Sequence, residues 1–288
     1  MYNVISNYRD NDSLRHSFNE LAAKTFGLDF EDWYQNGFWG DNYNPYSIII
    51  NGKVVANVSV NKTDMIFHGT VRHFLQLGTV MTDEAYRNQG LIRKIMERID
   101  RDYSQKTDGI YLFANDNVLE FYPRFGFQKS VEYLYSKNVS CTEESCLEKL
   151  IMDQPKNWEL LITAIERNIF YGRLDMVNNW ELIMFYVTKY MQENVYYHKD
   201  TDTYIIAEVE NENLFIHNVF SSKITDLDTV INFFGKEIKY VTLGFTPVET
   251  KDFHVTEYHE DDCTFFIKGK NLEIIEKEHL RIPSLAHA

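Results

Sequence analysis

The chain reads as α+β, a mixed sheet with helices on both faces. Three observations predict this. Strand-like and helix-like segments alternate without a strict β-α-β repeat. Asn51-Gly52 stands between two β-rich arms in residues 47–60, the pattern of an antiparallel hairpin on a type I′ turn. Between residues 73 and 100, a buried apolar strand, a polar loop and an amphipathic helix follow one another. That is half of a parallel, right-handed crossover.

Residues 13–26 (SLRHSFNELAAKTF) have helical spacing. Residues 27–46 are rich in aromatic and acidic side chains and have no regular period. The hairpin comes next, then a second strand pair about His68-Gly69. Residues 73–81 (HFLQLGTVM) form an apolar strand broken by Gly78. In the following helix, Leu91, Ile92, Ile95, Met96 and Ile99 share one face, with Arg93, Lys94, Glu97, Arg98 and Asp100 on the other. Residues 109–114 read as a strand and 117–127 as a short helix ended by Pro123 and Gly126. Residues 130–137 read as the strand that closes this unit.

Residues 139–155 start polar and contain Pro155, which suggests a linker between a first domain (1–138) and a second (156–288). In the second, two helices (157–170 and 179–194) precede strands at 202–210, 213–220, 238–245 and 263–269. A short helix at 226–234 lies between the second and third of these strands.

Composition limits the function. The 288 residues suffice for two domains, and 44% apolar with 15% aromatic residues predicts packed cores. No apolar run is long enough to span a bilayer, and the first dozen residues lack a secretory pattern. Three sparse cysteines (Cys141, Cys146, Cys263) fit free thiols in a reducing cytoplasm and give no metal-ligand spacing. A net charge of −14 argues against a broad nucleic-acid surface. The expectation is a cytoplasmic protein with no metal, no nucleic acid and no membrane, compatible with an oligomer.

The loop Arg87-Asn88-Gln89-Gly90 carries the sharpest chemistry. It precedes a helix, where free N–H groups and the positive dipole end favour an anion. Gly90 permits close approach to the backbone, and Arg87 adds charge. A phosphate or pyrophosphate on the amides of residues 88–92 is the chemical reading. The alternative is a plain tight turn beside a solvated arginine. Neither G-x-x-x-x-G-K-[ST] nor G-x-G-x-x-G occurs.

With these residues identified, residues 1–138 resemble the GNAT superfamily of acetyl-CoA-dependent N-acetyltransferases. The family pattern R/Q-x-x-G-x-G/A reads here Arg87-Asn88-Gln89-Gly90-Leu91-Ile92. Asn115 stands seven residues before Tyr122 in ANDNVLEFYPRFGF. Ile92 departs from the usual Gly or Ala. A bulky aliphatic there, followed by Arg93, resembles the enhanced-intracellular-survival branch, whose members carry a second, degenerate acetyltransferase-like domain.

The resemblance implies that acetyl-CoA is cosubstrate, with its pyrophosphate on residues 87–92. Gly78, Thr79, Val80 and Met81 would splay, with backbone groups pairing with the pantetheine. Asn115 would contact the coenzyme, and Tyr122 would protonate the leaving thiolate. Asn115 has an alternative role as a helix cap, and Tyr122 as a core aromatic. The second half would be a degenerate copy. Its loop (221–225) has no glycine, so no coenzyme is expected there.

The proton acceptor stays open between His73, Glu31, Asp32 and the terminal carboxylate of Ala288, since the apolar ending RIPSLAHA suits a held tail. The last of these rests on the branch resemblance. Glu31, Asp32, Trp33 and Trp39 mix carboxylates with aromatic faces, chemistry that suits a cationic amine. The same residues suit a loop packed over the sheet. The expected activity is acetyl transfer to a primary amine of a small molecule or peptide. The alternative is a non-catalytic acyl-CoA-binding sensor.

Overall fold

The computed structural model describes residues 2–223 and 225–287. Strand β1 (Val4–Ile5) leads to helix α1 (Asp12–Phe26). The Asn11 side chain caps α1 by accepting from the Leu14 N–H, and Gly27 closes it in the left-handed conformation. Arg15, 2% exposed, ties α1 to the short helix α2 (Glu31–Gln35) through Glu31 at 3.0 Å.

Strands β2 (Tyr43–Ile50), β3 (Lys53–Phe67) and β4 (Thr70–Thr82) form an antiparallel meander. Both turns are pairs at positive φ, Asn51-Gly52 and His68-Gly69, the geometry that matches strand twist. Helix α3 (Leu91–Tyr103) crosses to β5 (Gly109–Ala114), which lies parallel to β4. Leu91, Ile95, Met96 and Ile99 of α3 are buried, as the 3.6-residue spacing predicts.

The single helix expected over 117–127 is instead two 3-10 turns, Asp116–Val118 and Tyr122–Phe125. Pro123 has no N–H for an α ladder and sits inside the second turn, which Gly126 ends at φ 83°. Strands β6 (Gln128–Lys129) and β7 (Glu132–Asn138) follow.

The remainder comprises β8 (Glu148–Leu150), α4 (Pro155–Glu166), β9 (Leu174–Val177), α5 (Trp180–Lys189) and β10 (Val195–His198). Then come β11 (Thr203–Glu210), β12 (Asn213–Ser221), α6 (Leu227–Asn232), β13 (Tyr240–Leu243), β14 (His254–Tyr258), β15 (Thr264–Lys268) and α7 (Ile274–Lys277). Strands β12 and β13 are parallel across α6, so the second half repeats the β-α-β order of β4, α3 and β5.

The architecture is thus α+β with two mixed sheets. The first runs β1-β2-β3-β4-β5-β15-β6, with β9 also on β3; the second runs β14-β7-β13-β12-β11-β10-β8. Two strands stand away from where the sequence reading puts them. The strand at 130–137, expected to close the first unit, is β7 and pairs with β13 and β14 in the second sheet. The strand at 263–269 is β15 and lies antiparallel to β5 in the first sheet. The stretch 139–155 contains β8 and the fully buried Met152. One buried cluster lies between the halves, joining Phe18, Trp33 and Tyr111 to Ile183, Ile282 and Leu285. Separate clusters lie under α3 and around α6. No described helix is long and apolar enough to cross a membrane.

Candidate active site

The β4–β5 pairing ends at Leu77–Leu112, although β4 runs on to Thr82 and β5 to Ala114. The sheet therefore opens at this point. On the other side of β4, the register with β3 slips between Asn57 and Ser59, so the span between Gly78 and Met81 faces Val58 alone. This is a β-bulge. Thr79 sits in it at φ 43°, a strained value for a β-branched residue. Buried side chains hold the bulge. Asn57 donates to the Thr79 carbonyl at 2.9 Å and to Ser59, while Ser47 donates to Asn57. The Tyr43 hydroxyl bonds Thr79 Oγ1 at 2.5 Å.

Helix α3 starts beside this opening. Gly90 occupies its N-cap at φ 70°, and no side chain caps the helix. By contrast, α1 and α6 are capped by Asn11 and Asp226. The first-turn N–H groups of α3 are thus left for a ligand, and the dipole makes the position favour an anion. Asn88 is also left-handed, at φ 62°. Ile92, the departure from the family pattern, packs partly against the cluster under α3. Its backbone N–H belongs to the same first turn.

A cavity of about 1290 Å³ joins these features. That exceeds the ~300–1,000 Å³ usual for one drug-sized ligand, so a coenzyme and an acceptor both fit by volume. Val80, Met81, Arg87, Asn88, Gln89, Gly90, Leu91, Ile92, Asn115 and Tyr122 all line it. Tyr122 is 5% exposed, packed against Phe121, Phe127 and Phe266, and burial pushes its phenol up to about 12. Asn115 does not cap the turn after it. Its side chain donates to Asp262 Oδ2 at 2.8 Å, and the Asp116 N–H donates to the other oxygen.

The acceptor and proton-acceptor residues named from sequence are only partly brought here. Trp33 lines the cavity; Glu31, Asp32 and Trp39 are not among its lining residues. Arg15 holds Glu31, lowering its pKa through a charged hydrogen bond, and Gln35 and Asn19 bond it as well. Asp32 is exposed, and Trp39 is buried with its indole N–H on the Tyr43 carbonyl. His73 stands in a different depression, of about 510 Å³, with its imidazole on Asp64 at 2.8 Å. Asp64 accordingly raises the His73 pKa. His73 lies near the start of β4, just after the hairpin, and the bulge near the far end of the same long strand, Thr70–Thr82. Ala288 lies outside the described residues.

Several wall residues were missed from sequence. Leu182, Phe185, Tyr186 and Tyr190 come from α5, and Asp262 and Cys263 from the edge of β15. Burial pushes the Cys263 thiol up to about 12, so it is no thiolate nucleophile. His287 is stacked on Phe113 at 3.8 Å, and burial lowers its pKa to about 3, leaving it neutral. Tyr186 donates to the His287 carbonyl and Tyr111 to that of Ala286. The apolar ending was the one sequence signal for this docking. Among the described residues, no group of three His, Cys, Asp or Glu could hold a metal.

Comparisons with known proteins agree with this geometry. Residues 11–130 match the family model described as an acetyltransferase (GNAT) domain, which is less than half the chain. No curated protein matches the sequence. Among solved structures, a probable N-acyltransferase of unknown function from Enterococcus faecalis V583 superposes with a TM-score of 0.62 at 14% identity, covering 93% of this chain and 72% of that one. Eis1 from Mycobacterium abscessus gives 0.57 at 12% identity, covering 92% and 73%. A GCN5-related N-acetyltransferase from Kribbella flavida gives 0.52 at 15%, covering 92% and 71%. At these identities the likeness is one of fold, and it extends over both halves.

Proposed function

We infer that the chain transfers an acetyl group from acetyl-CoA to a primary amine by direct attack on the thioester. The acetyltransferase (GNAT) domain at residues 11–130 supports acyl transfer from an acyl-CoA to an amine. One observation carries the finer reading. The uncapped start of α3, the opening between β4 and β5, and the protonated Tyr122 all face one cavity.

In this reading, the coenzyme pyrophosphate accepts from the N–H groups of residues 88–92, with Arg87 adding charge. The pantetheine arm runs along the edge of β4 at Val80 and Met81, where β5 no longer pairs with it. The amine adds to the thioester carbonyl. The C–S bond then breaks, Tyr122 gives its proton to the departing thiolate, and the proton that the amine nitrogen loses on becoming the amide passes to solvent water, from which the Tyr122 phenol is restored. A phenol at about 12 stays protonated at neutral pH and so remains a donor.

The second half reads as a degenerate copy of the first. Its β12-α6-β13 unit repeats the parallel crossover, but α6 is capped by Asp226, which accepts from the Thr229 N–H at 2.8 Å. That carboxylate occupies and repels where a phosphate would bind.

The test is thiol release from acetyl-CoA with a panel of primary amines, alongside calorimetric titration of acetyl-CoA. Turnover with micromolar coenzyme affinity is expected. Tight binding with no turnover for any amine would instead make the chain an acyl-CoA-binding sensor.

A further inference from the structure

The wall of the cavity away from the coenzyme loop has its own chemistry. Phe30, Trp33 and Tyr43 come from the region of α2 and β2, and Phe185 comes from α5. Their rings form a continuous surface: Phe30 stacks on Phe185 at 5.3 Å and on Tyr43 at 5.5 Å, and Trp33 meets Phe185 edge-on at 5.4 Å. The polar ends are already used. The Trp33 indole donates to the Glu181 carbonyl at 2.8 Å, and the Tyr43 hydroxyl is bound to Thr79. Phe30, Trp33 and Tyr43 are each 4% exposed and form the packed backing, so the ring surface open to the cavity is that of the half-buried Phe185 and the exposed Tyr190. Two further lining residues, Phe26 and Tyr190, are 42% and 50% exposed. The Tyr43–Thr79 bond ties this surface to the bulge beside which the pantetheine arm is proposed to run.

Charge in the cavity points the same way. Its charged lining is Arg87, Arg93, Arg124 and Asp262. Asp262 is occupied by Asn115 and the Asp116 N–H. Glu31, the acid expected for a cationic substrate, is held by Arg15 outside the lining. Among the described lining residues Asp262 is thus the single carboxylate, enough for one ammonium and not for several, and burying further such charges unpaired is unfavourable.

We propose that this arm binds the body of the acceptor, and that the acceptor is a monoamine with an aromatic or similarly apolar head rather than a polycation. The proposal rests on the acyl-transfer reading. The accessible rings of Phe185 and Tyr190 attract one ammonium by cation–π contact while the apolar body is buried against them. The amine then attacks as its neutral form. A polyamine or aminoglycoside would keep further charges with no partner in the same wall.

The test measures binding and turnover on the full chain. Calorimetry of the chain loaded with coenzyme A, titrated with 2-phenylethylamine, tryptamine, spermidine and kanamycin, reads the arm independently of catalysis. The arylamines are expected to bind roughly tenfold or more tightly than either polycation. In turnover, kcat/KM should follow the same order. Phe185→Ala should raise the arylamine KM by about tenfold, and Phe185→Leu by less, while acetyl-CoA affinity stays within about threefold. Spermidine or kanamycin binding as well as the arylamines would overturn the proposal. So would a tenfold preference for octanoyl-CoA over acetyl-CoA without discrimination among amines, which would assign the arm to the acyl chain. If no amine turns over, the acyl-transfer reading fails, and the calorimetric order still decides what the arm binds.

Discussion

Tyr122 owes its high pKa to desolvation alone, so its proton is held more tightly than in water. Replacing it with Phe removes the donor and little volume. We expect kcat to fall by about 10²–10⁴, with acetyl-CoA affinity nearly unchanged, in single-turnover kinetics and calorimetry. Normal turnover would reduce Tyr122 to packing. Glu132 gives a second prediction. It is buried, accepts the Ile282 N–H at 2.8 Å, and burial raises it to about 7 although Arg281 pulls it down. The folded state therefore keeps a proton that the unfolded chain has released between about pH 4.5 and 7. The stability present below that window declines as pH rises through it. Glu132→Gln keeps the accepting oxygen and should flatten the decline by about 2 kcal/mol, read by urea unfolding at pH 5 and 7.5. An unchanged slope would contradict it. The sequence grouped Tyr122, Asn115 and the run 87–92 because they sit at fixed spacing within one stretch of chain, and the structure lines one cavity with them. Asp262 and His287 were not, because their place in the wall depends on partners far along the chain; Asn115 meets Asp262 across 147 residues.

At the scale of elements, the start of α3 can be tested apart from its fold. A Cβ at Gly90 would meet nothing within 4 Å, so a substitution there costs only the left-handed backbone, about 1–2 kcal/mol. Gly90→Ala should be modestly less stable and keep most coenzyme affinity. Gly90→Asp should be similarly stable yet lose acetyl-CoA affinity by about tenfold or more, because it puts a carboxylate where the N–H groups face the cavity. Equal affinity for the two variants in calorimetry would remove the pyrophosphate from this loop. Hairpins and long amphipathic helices were readable, since Asn51-Gly52 and the stripe of α3 are strong local signals. Strands β1, β6, β8, β9, β10 and β14 were not, being two to five residues long and too short for alternation to show. The stretch 117–127 misled because Val118, Leu119, Phe121, Tyr122 and Phe125 mimic a helical stripe while Pro123 forbids the α ladder.

For the whole molecule, the exchange of strands matters most. β5 is flanked by β4 and by β15, and β7 pairs only within the second sheet. A fragment of residues 1–138 would carry a bare β5 edge and an unpartnered β7. We expect it to be insoluble or to unfold without a cooperative transition, and to bind no acetyl-CoA, in circular dichroism and calorimetry. A soluble, cooperatively folding fragment would show that the first sheet closes without β15. The sequence marked both strands as strands; it could not mark their sheets, because neighbours in a sheet are set by long-range packing rather than local pattern. The same exchange puts a clock on biosynthesis. β15 is translated about 150 residues after β5, so at ~5–20 residues per second the nascent chain waits about 8–30 s with that edge uncovered. During that interval the cavity proposed for the coenzyme lacks Asp262 and Cys263. The proposed cleft is therefore completed only by a segment made long after its loop, and the bare β5 edge is what a chaperone would have to cover in the meantime.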